Sequence, residues 1–445
     1  MAVLDCTYRV RIPHKAGQLA RVCGAIADEG GLIGDVFTLN VSKDASLREI
    51  TIEVRDGDHA QEVADAVDGL DGVSVEWHMD RALLRHEGGK LTVEPRAPVR
   101  TVQDMRDVYT PGVARVCLAI AADPTLAARF TMLGTSVAIC TNGSRVLGLG
   151  NIGPVASLPV MEGKAIFYKQ FAGLDAMPIL LTTRDVDTFV DTVVQIAPSF
   201  GGIHLEDIEA PACFEIERRL GDALEKPVMH DDVHGTGVVA LAATLTACRN
   251  AGVELANATV GQLGLGAAGF GIAALMIDAG VRRVLASDPS EAAHARAREH
   301  GVEIADFATV MAEADVVVAT SGVPGLIRPE MVHAGQVVLA LTNPAPEIEP
   351  GDALAAGAAF AADGTSVNNV LGYPGIFKGA LLAGASAINV EMKRAAAWTL
   401  AGLTLESELV PDVLDRNVHD TVAEAVRQAA VDSGVAQPGR AQPAS

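Results

Sequence analysis

Residues 258–280, "ATVGQLGLGAAGFGIAALMIDAG", decide the fold. A short apolar run ends in Gly264-x-Gly266-x-x-Gly269, and a helical pattern continues from it to Ala279-Gly280. Glycines at these positions, with Ala267 and Ala268 between them, permit a tight turn and close backbone approach, and the helix N-terminus can receive a pyrophosphate. The next run, "RRVLAS", is followed by Asp288, 19 residues beyond Gly269, whose carboxylate can accept from ribose hydroxyls. A turn needed only for helix–strand packing has no use for that trailing acid. Glu291 follows, and no Arg or Lys lies between 287 and 293, so a 2′-phosphate would meet negative charge; NAD is expected over NADP. Outward from this point, "ADVVVAT", "QVVLAL" and "AFAAD" alternate with helical patterns up to about residue 365. Nearly continuous apolar strands of this kind belong to a parallel sheet covered on both faces, so the expected class is α/β with a Rossmann-type domain.

The chain of 445 residues is too long for one ordinary core, and two or three domains are expected. Its formal charge, 34 − 56 = −22, repels phosphate backbones and anionic lipid, which argues against nucleic-acid and membrane partners. Six cysteines fall singly without C-x-x-C spacing and read as reduced, buried thiols. No apolar signal core and no uninterrupted apolar stretch of about 18 residues occurs, so a soluble, cytoplasmic protein is expected.

The first 85 residues read as strand "CTYRVRI", a helix with Leu19, Val22, Cys23 and Ile26 at helical spacing, strands "LIGDVFTLNV" and "LREITIEV", helix "HAQEVADAVDGL" and strand "VSVEWHM". The order is βαββαβ, a ferredoxin-like plan. With "IPHKAGQLARV" at its first strand-to-helix turn, the segment resembles an ACT domain, which implies a small-molecule effector. "RHEGGKLTVEPRAPVR" reads as a linker, and residues 433–445 read as a disordered tail.

Candidate catalytic groups stand between these regions. Tyr109 precedes "TPGVARVCLAI", where Thr110 can cap, Pro111 suits the first helical position, and Val113, Val116, Cys117 and Ile120 form the expected buried face. Lys164, in "VMEGKAIFYKQF", has a largely apolar neighbourhood that would lower an ammonium pKa; on local sequence alone, snorkelling to solvent carries more weight. Adjacent acids occur twice, Glu206-Asp207 and Asp231-Asp232, each at the end of an apolar run. Glu206, Asp207 and Asp232 can supply oxygen ligands to octahedral Mg²⁺ or Mn²⁺, although capping and solvent exposure explain each acid taken singly.

Taken together, "YTPGVA", "LGLGNIGP", "MEGKA", "LEDIEAPACFEIE", "HDDVHGTG", "GLGAAGFG", "LTNP" and "NNVLGYPGIFKG" occur in an order that closely resembles malic enzyme, over about residues 95–430. The resemblance implies an α/β catalytic domain built from 95–232 and completed by 368–432, with an NAD domain, 233–367, inserted between them. It places the acid on Tyr109, the base on Lys164 with Asp231 as its partner, and the metal ligands on Glu206, Asp207 and Asp232. Substrate contacts fall on Arg145, Asn343 and Asn369, with Asn343 also beside the cofactor. It implies oxidative decarboxylation of malate with NAD and Mg²⁺ or Mn²⁺, in a homodimer or higher homo-oligomer. The front 85 residues depart from plain short malic enzymes and suggest regulation. A malolactic enzyme, an ACT-regulated amino-acid dehydrogenase and a non-catalytic amino-acid sensor are the competing readings.

Overall fold

The computed structural model describes residues 3–365, 367–406 and 408–437, and its internal contacts divide between Thr92 and Val93 into two compact units. The first unit contains β1 (Leu4–Pro13), a helix (Gln18–Asp28), β2 (Leu32–Val41), β3 (Ala45–Val54), a helix (Gly57–Asp68) and β4 (Ser74–Asp80). The strands pair antiparallel in the order β2-β3-β1-β4. Alternation in β1 turns Cys6, Tyr8, Val10 and Ile12 inward against Val22 and Ile26 of the first helix and Val63 and Val67 of the second. Leu19 and Cys23 are only partly buried. The Tyr8 hydroxyl donates to the Ala60 carbonyl at 2.8 Å, and Asp56 caps the second helix through His59 N–H. This is the ferredoxin-like βαββαβ plan that the alternation predicts.

The second unit begins with two short helices, Val102–Val108 and Val113–Ala122, neither of which buries a residue. The expected buried face is therefore not buried: Cys117 is exposed, and Val113, Val116 and Ile120 are half-buried, because the described chain packs too little against them. Gly112, not Thr110, takes the N-cap position, and Pro111 lies outside the helix. The cysteines carry no disulfide; four are buried and Cys23 is half-buried, so Cys117 is where the buried-thiol expectation fails outright.

Two parallel sheets follow. The first, in the order β6-β5-β7-β8, contains β5 (Ser136–Thr141), β6 (Asp175–Leu180), β7 (Gly202–Leu205) and β8 (Val228–His230). The second, in the order β11-β10-β9-β12-β13-β14, contains β9 (Thr259–Leu263), β10 (Arg283–Ser287), β11 (Glu303–Ile304), β12 (Val316–Ala319), β13 (Val337–Ala340) and β14 (Phe360–Asp363). Its order reverses between β9 and β12, the switch point at which doubly wound sheets take ligands. Helix Thr236–Ala251 buries 11 of its 16 residues, and a single apolar core runs through it from β5 to β13. Its all-round Val/Ala character is what a helix between two layers requires.

After β14 the chain returns to the first sheet. Helices Tyr373–Ala383 and Arg416–Asp432 approach so closely that a Cβ on Gly379 would stand 2.4 Å from the Ala423 carbonyl. Residues 433–437, expected within a disordered tail, are packed: Ser386 N–H donates to the Val435 carbonyl at 2.9 Å. Residues 438–445 lie outside the described residues. No described helix is long and apolar enough to cross a membrane.

Candidate active site

Strand register explains why two acid pairs stand 25 residues apart. β7 and β8 are parallel neighbours with Leu205 opposite His230, so the residues that leave their carboxyl ends, Glu206-Asp207 and Asp231-Asp232, emerge side by side. Carboxylate oxygens of Glu206, Asp207 and Asp232 all lie within 4.8 Å of one another. Asp207 adopts φ 54°, a left-handed conformation that Asp tolerates better than most residues, and Arg145 N–H donates to its carbonyl at 3.1 Å. Its own N–H donates to Asp232 Oδ2 at 3.1 Å.

Lys164 stands near the end of helix Pro154–Phe167 and is buried. Its Nζ is paired with Asp231, lies 3.1 Å from Glu206 Oε1, and sits 4.7 Å from the ring centre of Tyr373. Burial alone would pull the ammonium down, but the charges of Asp231 and then Glu206 outweigh it and hold Lys164 well above its ordinary value. The expected apolar, pKa-lowering setting is thus corrected, as is the snorkelling alternative: the neighbours that matter come from strand ends far along the chain. Burial pushes Glu206 up to about 8, and burial followed by the charges of Glu206 and Asp232 pushes Asp207 up to about 9. Asp231 is pushed up to about 6 by burial, with Lys164 opposing.

Behind the acids runs a chain that the sequence reading missed. His204, fully buried and pushed down to about 4 by burial, is neutral. Its Nε2 lies 2.5 Å from Glu206 Oε2 and its Nδ1 2.8 Å from the Tyr168 hydroxyl. Once a bound cation ionises Glu206, that carboxylate can only accept, so Nε2 would carry the proton and Tyr168 would donate to Nδ1. On the other flank, Glu217 accepts from His230 N–H at 2.7 Å and pairs with His234 Nε2 at 3.0 Å. His234 and His230 hold Glu217 down to about 2 against its burial. Glycine makes room here: a Cβ on Gly235 would fall 1.8 Å from Asp231 Oδ1.

The dinucleotide loop joins the same cavity. Gly264 has φ 89°, a Cβ on Gly269 would lie 2.0 Å from the Gly264 carbonyl, and Gly266, at the N-cap of helix Ala267–Asp278, faces open space. Gly271, beyond the fingerprint, brings that helix against the acid turn, since a Cβ there would stand 1.9 Å from the Val233 carbonyl. Asp288 first shapes the loop, accepting from Leu265 N–H at 2.7 Å and Ser290 N–H at 2.8 Å. Arg296, one helical turn beyond the cation-free stretch 287–293, donates to the Leu265 carbonyl at 3.2 Å and stacks 4.0 Å from the Phe214 ring centre.

A cavity of about 720 Å³ unites these groups. Arg145, Lys164, Glu206, Asp207, Asp232, Gly266, Ala267, Ala268, Gly269 and Asn369 line it, with Asn151, Thr320 and Asn368 added by the fold. Five expected residues are outside its lining: Asp231 is buried against Lys164, Gly264 and Asp288 belong to the loop that shapes it, and Asn343 and Tyr109 stand apart from it. Asn343 lies on the surface past β13 and its amide donates to the Gly364 carbonyl at 3.2 Å. Tyr109, at the end of the first short helix, is 70% exposed and outside the cavity lining.

The family model of the malic enzyme N-terminal domain matches residues 89–221, and that of the NAD binding domain of D-isomer specific 2-hydroxyacid dehydrogenases matches residues 239–323. NAD-dependent malic enzyme 1 of Bacillus subtilis is 49% identical over 427 residues, covering 96% of this chain and 97% of the relative. The bifunctional malic/malolactic enzyme of the same organism is 43% identical, over 78% of this chain and 92% of its own length. The crystal structure of malic enzyme from Pyrococcus horikoshii is 38% identical and superposes with a TM-score of 0.75, over 78% of this chain and 88% of that one.

Proposed function

Because the chain belongs to the malic enzyme family, we propose a division of labour among its residues for the reaction it catalyses, the oxidative decarboxylation of malate to pyruvate and CO₂ with reduction of NAD. The acid cluster fits a hard divalent cation. Two of its carboxyls are raised by burial and mutual repulsion, and Asp207 Oδ2 is buried without a hydrogen-bond partner, so positive charge is what the donor set lacks. Glu206, Asp207 and Asp232 would hold Mg²⁺ or Mn²⁺. Bound there, the ion would polarise the malate C2 oxygen, carry charge as C4 departs as CO₂, and remove Glu206 from the field that keeps Lys164 protonated.

The observation that carries the assignment is the position of Lys164 Nζ, against Asp231 and 3.1 Å from Glu206 Oε1. Lys164, sharing its proton with Asp231, is placed to take the C2 hydroxyl proton, and NAD, when bound, would accept the C2 hydride. Arg145 and Asn369 bind the substrate carboxylates; Asn343 would have to exchange its bond to Gly364 to join them. The helix start at Gly266–Gly269 receives the pyrophosphate, and Asp288 uses its remaining lone pairs on the ribose, favouring NAD. To return a proton to C3 of the enolpyruvate, Tyr109 would have to be brought to the cavity whose lining it does not join.

The resemblance to a bifunctional malic/malolactic enzyme gives a second reading. Product analysis with malate, NAD and divalent metal separates them: pyruvate with equimolar NADH is expected, whereas lactate without net NADH would establish the malolactic course. We also assign residues 95–232 and 368–432 to catalysis, 233–367 to NAD, and 1–85 to an ACT-like regulatory module. Its cavity of about 270 Å³, lined by residues that include His14, Lys15, Leu19 and Arg48, is the expected effector site. A cytoplasmic homodimer completes the reading.

A further inference from the structure

We propose that the cavity at the first strand-to-helix turn of the N-terminal unit takes a small organic dianion, a short-chain dicarboxylate without an ammonium group. The inference rests on the reading of residues 1–85 as an effector-binding module and names the class of its ligand. The cavity, of about 270 Å³, is bordered by His14, Lys15 and Arg48, by the hydroxyl of Ser46, by the apolar Ile12 and Leu19, and by no acid. This runs against the composition of the unit, in which acids outnumber bases. Elsewhere in it arginines meet carboxylates: Arg9 pairs with Glu49, and Arg11 with Glu76. Arg48 instead donates from Nη1 to the Thr38 hydroxyl at 2.9 Å, and its Nε is buried without a hydrogen-bond partner. A buried donor on a permanent cation is costly to leave unpaired, and a bound anion removes that cost.

The backbone reinforces the charge. Gly17, at φ 83°, precedes helix Gln18–Asp28, which has no side-chain cap and no acid in its first turn. Ala16 and Leu19 bring the start of that helix to the cavity wall, so its uncapped N–H groups add to the positive potential of Lys15 and Arg48. The turn that displays these cations is tied down: His14 N–H donates to the Asp44 carbonyl at 3.0 Å and Lys15 N–H to the Pro13 carbonyl at 2.8 Å. Two permanent charges suit two carboxylates, and the apolar walls suit the methylenes between them. Inorganic phosphate would leave Ile12 and Leu19 unused. An α-amino acid fits worse for a different reason: its ammonium would stand among cations, and the lining holds no carboxylate to receive it.

Succinate and L-aspartate, which differ by one ammonium group, test this on the full-length chain. The δ1 methyl of Ile12, buried in the cavity wall, is labelled with ¹³C, assigned through Ile12→Val and followed by NMR, so that occupancy here is read separately from binding in the catalytic cavity. The Ile12 signal is expected to move saturably with succinate and to need about tenfold more L-aspartate or inorganic phosphate for the same shift. Arg48→Gln should raise the half-saturating succinate by about 10–100-fold, the effect of losing a charge-assisted hydrogen bond. Lys15→Gln, on the exposed turn, should act in the same direction and replaces Arg48→Gln should the latter fail to fold. No saturable response to succinate, a response to L-aspartate or phosphate as tight as that to succinate, or an unchanged succinate affinity in the folded variants would overturn the proposal. Regulation is separable. Saturation at Ile12, with malate oxidation responding to succinate identically in the parent and Arg48→Gln, would uphold the site and remove its effector role.

Discussion

Asp207→Asn removes a titratable group with little change of shape, and it sets the two roles of the acid cluster against each other. In the folded protein without metal, Asp207 is raised to about 9 and Glu206 to about 8. In the unfolded chain both titrate near about 4. Between those limits the folded state binds more protons than the unfolded state, so stability falls as pH rises, by up to about 1.4 kcal/mol per pH unit for each group. Between about pH 6 and pH 8 the Asp207 contribution amounts to at most roughly 3 kcal/mol. At roughly 2 °C per kcal/mol for a unit of this size, that is a shift of about 5 °C. We expect the melting temperature of the metal-free parent, followed by scanning calorimetry in chelator, to fall over this interval by about that much more than that of Asp207→Asn. In excess Mg²⁺ or Mn²⁺ the order should invert, because the parent binds the ion and the variant has lost a ligand. Parallel pH curves for the two metal-free proteins would refute the reasoning.

Lys164→Ala should lower malate oxidation by about 10²–10⁴-fold while malate binding survives, since one positioned base supplies that much; a rate within a few-fold of the parent removes Lys164 from the chemistry. Gly271→Ala places a methyl against the Val233 carbonyl, 1.9 Å away. Its cost of about 1–3 kcal/mol should exceed the gain of about 1 kcal/mol in helix propensity, and the rate should fall as the dinucleotide helix is pushed from the acid turn. Unchanged melting and kcat would mean the contact is slack. A truncation that begins near Leu91, compared with the full chain against a panel of amino acids and central metabolites, should lose an effector response of about 5–150-fold; equal responses from both proteins would remove regulation from the front module.

What could be read from the sequence was what local pattern and chain order determine. The Gly264–Gly269 turn, the alternation of β1 and the emergence of acids at strand ends each follow from a few neighbouring residues. The setting of Lys164 could not be read from its local sequence, because Asp231, 67 residues away, and Glu206 reverse the effect of its apolar neighbours; only the family resemblance pointed to Asp231. His204 stood beside the acids in "HLED", yet its role depends on Tyr168, brought to it only by packing. Arg296 lies one helical turn beyond residues 287–293 and reaches the dinucleotide loop only through the fold. Gly235 and Gly271 matter through contacts, not propensity. The apolar spacing at Val113–Ile120 was genuine, but spacing alone does not bring another element against it.

The central claim is that Glu206, Asp207 and Asp232 hold the divalent ion beside Lys164. Crystals grown with Mn²⁺ and measured near its absorption edge test it directly. The account predicts one anomalous peak in each active site, within coordination distance of oxygens from all three residues, and none in Asp232→Ala crystals treated alike. A peak among His204, Glu206 and Asp231, the other group among the described residues close enough to bind an ion, or one that persists without Asp232, would contradict it.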